Sequence, residues 1–160
     1  PEVKNAGDLM QIDTIHLIGP DGKRIYVYTL IDLYSRWAYA KVVHRISAER
    51  SVVFVEEAQR SASFLFRMIQ SDHGSEFSIW FTHTLKRKHV AHRHSRVRQS
   101  NDNAHVERFN RTIQEECLDR IPAKIQNMRK ALKTYLPYYN SERLHLGLQL
   151  KTPQQVLRSY

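Results

Sequence analysis

The spacing of apolar residues predicts an alternation of strands and helices along the chain. Period-two alternation and short apolar runs predict strands at residues 9–17, 24–33, 37–43, 64–69 and 89–94. Apolar residues three and four positions apart predict helices over 47–63 and 75–88, from about 101–103, from 122, and from 152. The turn Gly19-Pro20-Asp21-Gly22 joins the first two strands as a hairpin, and the helix before the fourth strand favours a parallel crossover. The pattern alone therefore predicts an α/β domain with one mixed sheet.

The helix predicted to begin at about 101–103 has two distinct faces. One is an apolar stripe directed at the core, consisting of Val106, Phe109, Ile113 and Cys117. The neighbouring ridge holds a single carboxylate among amides and a guanidinium: Asn103, Glu107, Asn110, Arg111 and Gln114. Because amides and guanidinium groups bind phosphates well, a carboxylate among them is an unusual choice for a solvated surface.

Two aspartates accompany the predicted strands. Asp13 lies in the middle of the first strand, and Asp72 follows the fourth strand. A carboxylate in the middle of a strand, as at Asp13, is costly unless it is compensated. If both approach Glu107 to within about 4 Å, each pair repels by roughly 4 kcal/mol at an effective dielectric near 20. Such a cluster implies a divalent cation.

Each of these acids also has a purely structural interpretation. Asp72 could close a turn, and Glu107 could pair with Arg111 one helical turn further on, which contributes only about 0.2 to 0.5 kcal/mol. A fourth carboxylate, Asp32, stands at a strand end beside Ser35, where a turn or salt-bridge role is favoured over a place in an active site.

Composition narrows the class of protein. With 160 residues, 41% of them hydrophobic, the chain can bury the core of one domain. Its single cysteine, Cys117, excludes an intrachain disulfide and a cysteine-based zinc site. We find no run long enough to span a membrane and no signal-peptide pattern, so we expect an intracellular protein, in the cytoplasm or nucleoid if bacterial. The start at Pro1, without a methionine, predicts a fragment of a longer protein.

The charge indicates a polyanionic partner. The net charge is +9, and residues 77–101 contain no acidic residue while cations accumulate there. Lys86 and Lys88 can either close a helix, where cations suit its dipole, or bind phosphate. For the arginines within residues 93–98, just before the Glu107 helix, phosphate binding is favoured over a merely solvated surface. A transition-metal site at 89–94, where histidines alternate, is disfavoured.

Several motifs together resemble a known family. Asp13, then Asp72 in Ser71-Asp72-His73-Gly74-Ser75-Glu76-Phe77, then Glu107 with 34 residues between the last two acids, resemble the D,D,E triad of retroviral integrases and insertion-sequence transposases. The segment 31–36 is similar to the family's second strand and turn, and 138–145 with 151–154 to its closing segment. The resemblance covers nearly the whole chain in order.

This resemblance implies an α/β, ribonuclease H-like fold, with a five-stranded mixed sheet flanked by helices on both sides, and an integrase-type catalytic core domain over 1–160. It implies that Asp13, Asp72 and Glu107 are the catalytic residues and metal ligands for two Mg²⁺ or Mn²⁺ ions when DNA is bound, with Asp13 bridging both. The reaction would be DNA nicking followed by transfer of the 3′-hydroxyl to a target strand.

The expected partners are DNA, both the ends of the mobile DNA element and the target, and further copies of the chain in a homo-oligomer. We expect no membrane association and no small-molecule cofactor. The residues predicted to contact DNA are Asn103, Arg111 and Gln114 on the ridge, Arg93, Arg96 and Arg98 before it, and Lys86 and Lys88. Two alternatives remain open, a ribonuclease H-like nuclease that only hydrolyses and a DNA-binding module without catalysis. In the family the loop before the glutamate helix commonly carries Pro or Gly, but 96–101 has neither, which argues against a flexible loop here.

Overall fold

A computed structural model describes residues 2–99 and 101–159, which form a five-stranded sheet with helices on both faces. Pro1, the basis of the expected fragment, lies outside the described residues, as do Ser100 in the predicted loop and Tyr160. The strands are β1 (Met10–Ile18), β2 (Arg24–Asp32), β3 (Ala38–Val43), β4 (Met68–Ser71) and β5 (Ala91–His94).

Five α-helices flank the sheet within the described part of the chain. They are α1 (Ala48–Ser61), α2 (Ile79–Arg87), α3 (Ala104–Glu116), α4 (Ile125–Ser141) and α5 (Pro153–Arg158). Single 3₁₀ turns lie at Ser75–Phe77, Leu118–Arg120 and Leu146–Leu148. None of the helices built from the described residues is long and apolar enough to cross a lipid bilayer.

The strand order is β3-β2-β1-β4-β5, which places β1 at the centre of the sheet. The β1–β2 and β2–β3 pairs are antiparallel, whereas β4 pairs in parallel with both β1 and β5. The first hairpin turns at the predicted sequence, because Gly22 adopts a positive φ of 78° and its N–H donates to the Gly19 carbonyl. The predicted mixed sheet of five strands is confirmed.

Two hydrophobic cores lie on opposite faces of the sheet. Along β2, Ile25, Val27 and Ile31 pack against α3 and α4, while Tyr28 and Leu30 face the α1 side. The apolar stripe predicted for α3 is buried as expected, with Val106, Phe109, Ile113 and Cys117 all less than 9% exposed. The helices therefore flank both faces, as predicted.

Two predicted elements depart furthest from the structure. Residues 64–67 are not strand, because the side-chain amide of Gln59 binds the Phe64 carbonyl (2.7 Å) and the Phe66 N–H (2.8 Å), and Leu65 is 76% exposed. The predicted helix over 75–88 is interrupted at Ser78, whose ψ of 179° is extended. Phe77, Phe81 and Leu85, the apolar residues spaced four apart in that segment, are nevertheless all buried.

Two side chains of α4 bind the backbone of β3. Asn140 accepts a hydrogen bond from the Ala38 N–H and donates one to the Ala38 carbonyl, both 2.9 Å, and Arg129 Nε donates to the carbonyl of Val42 (3.4 Å). These α4 side chains therefore occupy backbone groups near both ends of β3.

An ion pair joins the closing segment to the end of α3. Arg143 donates from Nε to Oε1 of Glu116 (2.9 Å) and from Nη2 to Oε2 (2.7 Å), and the Tyr135 hydroxyl donates to Oε1 (2.7 Å). The side chains of Arg143 and Glu116 are only 24% and 31% exposed. This bidentate geometry fixes the carboxyl end of α3 against α4.

Replacing Glu116 by Gln should lower the free energy of unfolding by about 1 to 2 kcal/mol at pH 7, because Arg143 loses its charged partner. Arg143 lowers the pKa of the Glu116 carboxyl. The pair therefore stabilises the protein above the ordinary glutamate pKa of 4.5, and this contribution is lost as the pH falls through the lower folded-state value.

Urea denaturation of both proteins at several pH values measures the effect, and the gap between them should narrow below about pH 4.5. The control is Glu115→Gln, an exposed neighbour on α3, which should change stability by less than about 0.5 kcal/mol. Equal stability of wild type and Glu116→Gln at pH 7 would contradict the assignment.

Candidate active site

Asp13 occupies the centre of β1, opposite Thr29 of β2. Its carboxylate oxygen Oδ2 accepts a hydrogen bond from Asn110 Nδ2 on α3 (2.9 Å). The Thr29 hydroxyl donates in turn to Asn110 Oδ1 (2.6 Å). Two neighbouring strands and a helix thus orient the Asp13 carboxylate through one amide side chain.

The predicted acids act on one another electrostatically. Burial raises the pKa of Asp13 to about 6, and the negative charges of Asp72 and Glu107 raise it further. The backbone hydrogen bond at Thr14 and the side-chain bond from Asn110 oppose this rise. Asp13, Asp72 and Glu107 therefore form one electrostatic cluster, in which the ionised form of Asp13 is disfavoured.

Asp72 lies one residue beyond β4, at the carboxyl edge of the parallel strands. Its Oδ1 accepts a hydrogen bond from the Gly74 N–H (2.8 Å), so the turn role considered for Asp72 is also present. A Cβ at Gly74 would lie 2.4 Å from Glu76 Oε1 and 3.0 Å from Asp72 Oδ1, so a side chain there would displace the carboxylate of Glu76. Glu76 is buried, and Thr14 Oγ1 lies 3.5 Å from its Oε1.

Glu107 stands in the first turn of α3 with its side chain exposed. It lines a shallow groove of about 370 Å³ together with Asn110, Arg111, Gln114, Glu115 and Asp119. Four of the five residues of the predicted ridge therefore line one groove, and two further carboxylates line it with them. Arg111 and Gln114, two of the predicted DNA contacts, lie in this groove.

The acids do not form a complete coordination shell as they stand. Within residues 2–99 and 101–159, no three side chains of His, Cys, Asp or Glu lie close enough together to hold a metal ion. The donor set nevertheless fits a hard divalent cation, because it consists of carboxylates whose mutual repulsion a cation would relieve. Ligation by all three would require side-chain movement, for example of Asp72 away from the Gly74 N–H.

The remaining predicted DNA contacts are dispersed. Arg93 Nε donates to Gln70 Oε1 (2.7 Å), and Asn103 Oδ1 accepts from Gln70 Nε2 (3.2 Å), so both lie at the start of α3. Arg96 pairs with Asp102 (Nη2 to Oδ1, 2.9 Å) and lowers the pKa of that carboxyl to about 2. These five residues form a polar layer beside the first turn of α3.

The other cations lie further along the surface. Lys88 pairs with Glu56 of α1 (3.4 Å), and Lys86 is exposed in the last turn of α2. Arg98 is exposed in the loop before α3, with a positive φ of 62°. DNA contact by each of them stays a prediction.

Asp32 has the turn role favoured for it. It is fully buried, and its carboxylate accepts hydrogen bonds from the Gly7 N–H (3.0 Å), the Ser35 N–H (2.9 Å) and the Ser35 hydroxyl (2.6 Å). Burial raises the pKa of this carboxyl. These bonds hold the turn between β2 and β3.

Sequence reasoning did not assign roles to several polar residues around the acids. Asn110 was placed on the ridge but not in the site, although it lies one helical turn beyond Glu107. Gln11 and Gln70 each stand two residues before a predicted catalytic aspartate, and both are buried. A polar residue two positions from a strand aspartate was the available signal, because it shares the aspartate's face of the sheet.

Comparison with known sequences identifies the family of this fold and site. The Integrase core domain family matches residues 4–100, and a second model with the same description matches residues 88–153. "Putative integrase ORF3" of Spiroplasma virus SpV1-C74 is 28% identical over 99% of this chain and 49% of its own length. "Putative transposase InsK for insertion sequence element IS150" of Escherichia coli (strain K12) is 29% identical over 83% of this chain and 48% of its own. The chain thus spans about half the length of these curated relatives.

Solved structures share the fold. A chain of the simian T-cell lymphotropic virus intasome, determined in complex with PP2A regulatory subunit B56 gamma, superposes with a TM-score of 0.80 at 19% identity, over 94% of this chain and 54% of its own. The HTLV-2 integrase catalytic core domain in complex with magnesium gives a TM-score of 0.75 at 17% identity, and the match covers 94% of this chain and 95% of that domain. Retroviral integrase cores have a ribonuclease H-like fold, so the predicted fold class is confirmed.

Replacing Asp13 by Asn should raise the free energy of unfolding of the metal-free protein at pH 8. Asparagine removes the disfavoured charge and keeps an oxygen for Asn110 to bind. The pKa of Asp13 is about 6 when folded against an ordinary 3.8, so wild-type stability falls between about pH 4 and 6 as the carboxyl ionises. The gain should be small at pH 4 and about 2 to 3 kcal/mol at pH 8.

Urea denaturation in the presence of EDTA measures this difference. Asp21→Asn is the matched control, because Asp21 is an exposed turn aspartate whose oxygen accepts the Lys23 N–H, a bond that asparagine keeps. If Asp13→Asn is no more stable than wild type at pH 8, the negative charge of Asp13 does not destabilise the folded protein.

Proposed function

Because this chain belongs to the Integrase core domain family, we propose that residues 1–160 are the catalytic core of a transposase or integrase that nicks DNA and joins the freed 3′-hydroxyl to a target strand. The observation that carries the proposal is the electrostatic cluster of Asp13, Asp72 and Glu107, supplied by β1, the end of β4 and the first turn of α3. A carboxylate whose pKa is raised by burial and by neighbouring negative charges, as that of Asp13 is, is common at the functional site of an enzyme.

In the proposed site Asp13, Asp72 and Glu107 hold Mg²⁺ or Mn²⁺, with two ions when DNA is bound, because hard cations prefer carboxylate oxygen. Bound there, the ions would activate the attacking oxygen and stabilise charge on the leaving oxygen of the phosphodiester. Asn110 keeps the Asp13 carboxylate in a fixed orientation, since the Thr29 hydroxyl fixes the amide from the other side. Gly74 keeps the backbone beside Asp72 free of a side chain.

The groove beside Glu107 is the proposed path of the DNA backbone. Arg111 supplies a positive charge and Gln114 a neutral hydrogen-bonding group along it. Arg93, Arg96 and Arg98 extend this surface through the loop before α3, and Lys86 and Lys88 are its outermost members. The net charge of +9 supports a DNA partner.

Strand transfer joins the ends of a mobile DNA element to a target DNA, so the proposal includes assembly of several copies of the chain on DNA. The HTLV-2 integrase core has been solved in dimeric and trimeric forms, which supports this part of the proposal. Because the substrate is DNA, the proposed place of action is inside the cell.

The proposal is tested with a supercoiled plasmid and a labelled oligonucleotide ending in a 3′-hydroxyl, incubated with the chain and Mg²⁺ or Mn²⁺. We expect nicking of the plasmid and joining of the oligonucleotide to it. Asp13→Asn, Asp72→Asn and Glu107→Gln should each reduce both products by more than about 100-fold, because each removes a charged ligand for the cation.

The matched control is Glu49→Gln, since Glu49 is also an exposed glutamate in the first turn of a helix, on α1. It should leave both products unchanged, and a 3′-dideoxy oligonucleotide should not be joined. Nicking without any joining would favour the hydrolytic nuclease. DNA binding with neither product in any divalent metal would favour the binding module.

Arg111→Ala should weaken DNA binding to a similar degree for every sequence tested, because a phosphate contact carries no base information. The slope of log binding constant against log salt concentration should become shallower by about one unit. Fluorescence anisotropy across a salt series measures both quantities. Arg60→Ala, at the exposed end of α1, is the control and should leave the slope unchanged. An unchanged slope for Arg111→Ala would remove that residue from the DNA path.

A further inference from the structure

Two buried amide side chains on neighbouring strands have no part in the chemistry proposed above. Gln11 of β1 and Gln70 of β4 are 2% and 3% exposed and face each other in the parallel register. Burying an amide is costly unless its hydrogen bonds are made. The partners of these two side chains therefore indicate what they do.

Both amides converge on the backbone just before α3. Gln11 Nε2 and Gln70 Nε2 donate to the same carbonyl, that of Asp102, at 2.7 and 2.5 Å. Gln11 Oε1 accepts the Val106 N–H at 2.9 Å, and Gln70 Oε1 accepts Arg93 Nε at 2.7 Å. Each oxygen and each amide nitrogen is thus engaged, and both side chains bind the start of α3.

The bond from Gln11 replaces a cap that α3 does not make for itself. Asn103 stands at the N-cap position but makes no side-chain capping bond, because its Oδ1 accepts from Gln70. Val106 is the third residue of the helix, whose N–H an N-cap side chain ordinarily accepts. By contrast, α1 is capped locally, with the Ser47 hydroxyl accepting the Arg50 N–H. The cap of α3 therefore comes from β1.

This arrangement ties all three acids to one point of the backbone. Gln11 is two residues before Asp13 on the same face of β1, and Gln70 is two residues before Asp72. Glu107 directly follows Val106, the residue whose N–H Gln11 holds. The ion pair of Arg96 with Asp102 adds a third attachment on the outer side.

We propose that Gln11 and Gln70 are positioning residues that fix the first turn of α3 against β1 and β4 and so set the spacing of Glu107 from Asp13 and Asp72. The inference rests on the proposed function, because the spacing matters only if the three acids share a cation. The amides themselves touch neither cation nor DNA.

The test compares Gln11→Met and Gln70→Met with Gln59→Met in the full chain. Methionine keeps the length of glutamine but makes neither strong hydrogen bond. Gln59 is the matched control, because its amide also brackets backbone groups with both atoms, those of Phe64 and Phe66 at the end of α1. All three variants should lose a similar amount of stability toward urea.

Two further readouts separate positioning from mere stability. Amide hydrogen exchange of Val106 and Glu107 should be at least about tenfold faster in Gln11→Met than in wild type and unchanged in Gln59→Met. Mn²⁺ binding to the DNA-free protein, followed by the paramagnetic resonance of free Mn²⁺, should weaken about five- to fiftyfold in Gln11→Met and Gln70→Met but not in Gln59→Met.

Equal Mn²⁺ affinity of wild type and both variants, or an equal loss in Gln59→Met, would overturn the inference. No Mn²⁺ binding by wild type at millimolar concentration would overturn it too, since there would be no site to position. If Gln11→Met does not fold, Gln70→Met carries the same comparison. A wild type that binds Mn²⁺ but neither nicks nor joins DNA would refute the proposed function alone, and the binding and exchange data would still decide the role of the amides.

Discussion

The central place of β1 in the sheet is the constraint on which the rest of the structure depends. Because β1 has a strand on each side, Asp13 at its middle is cut off from much of the solvent, and its pKa rises to about 6. An uncompensated carboxylate in such a position works against folding. Such a cost is usual where a protein keeps a site ready for a ligand that is not yet bound.

Contacts at the beginning, the middle and the end of α3 hold this helix in place. The amides of Gln11 and Gln70 hold its beginning, the stripe around Phe109 packs its middle into the core, and Glu116 binds Arg143 at its end. Glu107 therefore projects from a helix that cannot easily rotate or slide. Asp72, in contrast, stands on a short turn, and the hydrogen bond that holds its carboxylate is a local one.

The elements that could be predicted from sequence are those governed by short-range periodicity. The hairpin at Gly22, the stripe of α3 and the alternation along β2 all follow from spacing and turn chemistry, and the structure confirms them. The predicted start of β4 was wrong because the Gln59 side chain, and not a neighbouring strand, binds the backbone of Phe64 and Phe66. No local pattern in the sequence reveals this contact. The triad came from family resemblance, since a lone Asp72 or Glu107 also has an ordinary structural explanation. The contact between Gln11 and Val106 spans 95 residues and could not be inferred from either position alone.

The bonds of α4 to β3 have a consequence for how copies of the chain can meet. An unpaired edge strand offers free N–H and carbonyl groups to any extended segment, which is a common route to aggregation. Here Asn140 takes both backbone groups of Ala38, and Arg129 reaches the carbonyl of Val42. The helix thereby occupies part of this border of the sheet, at Ala38 and Val42, so that an invading strand would have to displace these side chains before it could pair there.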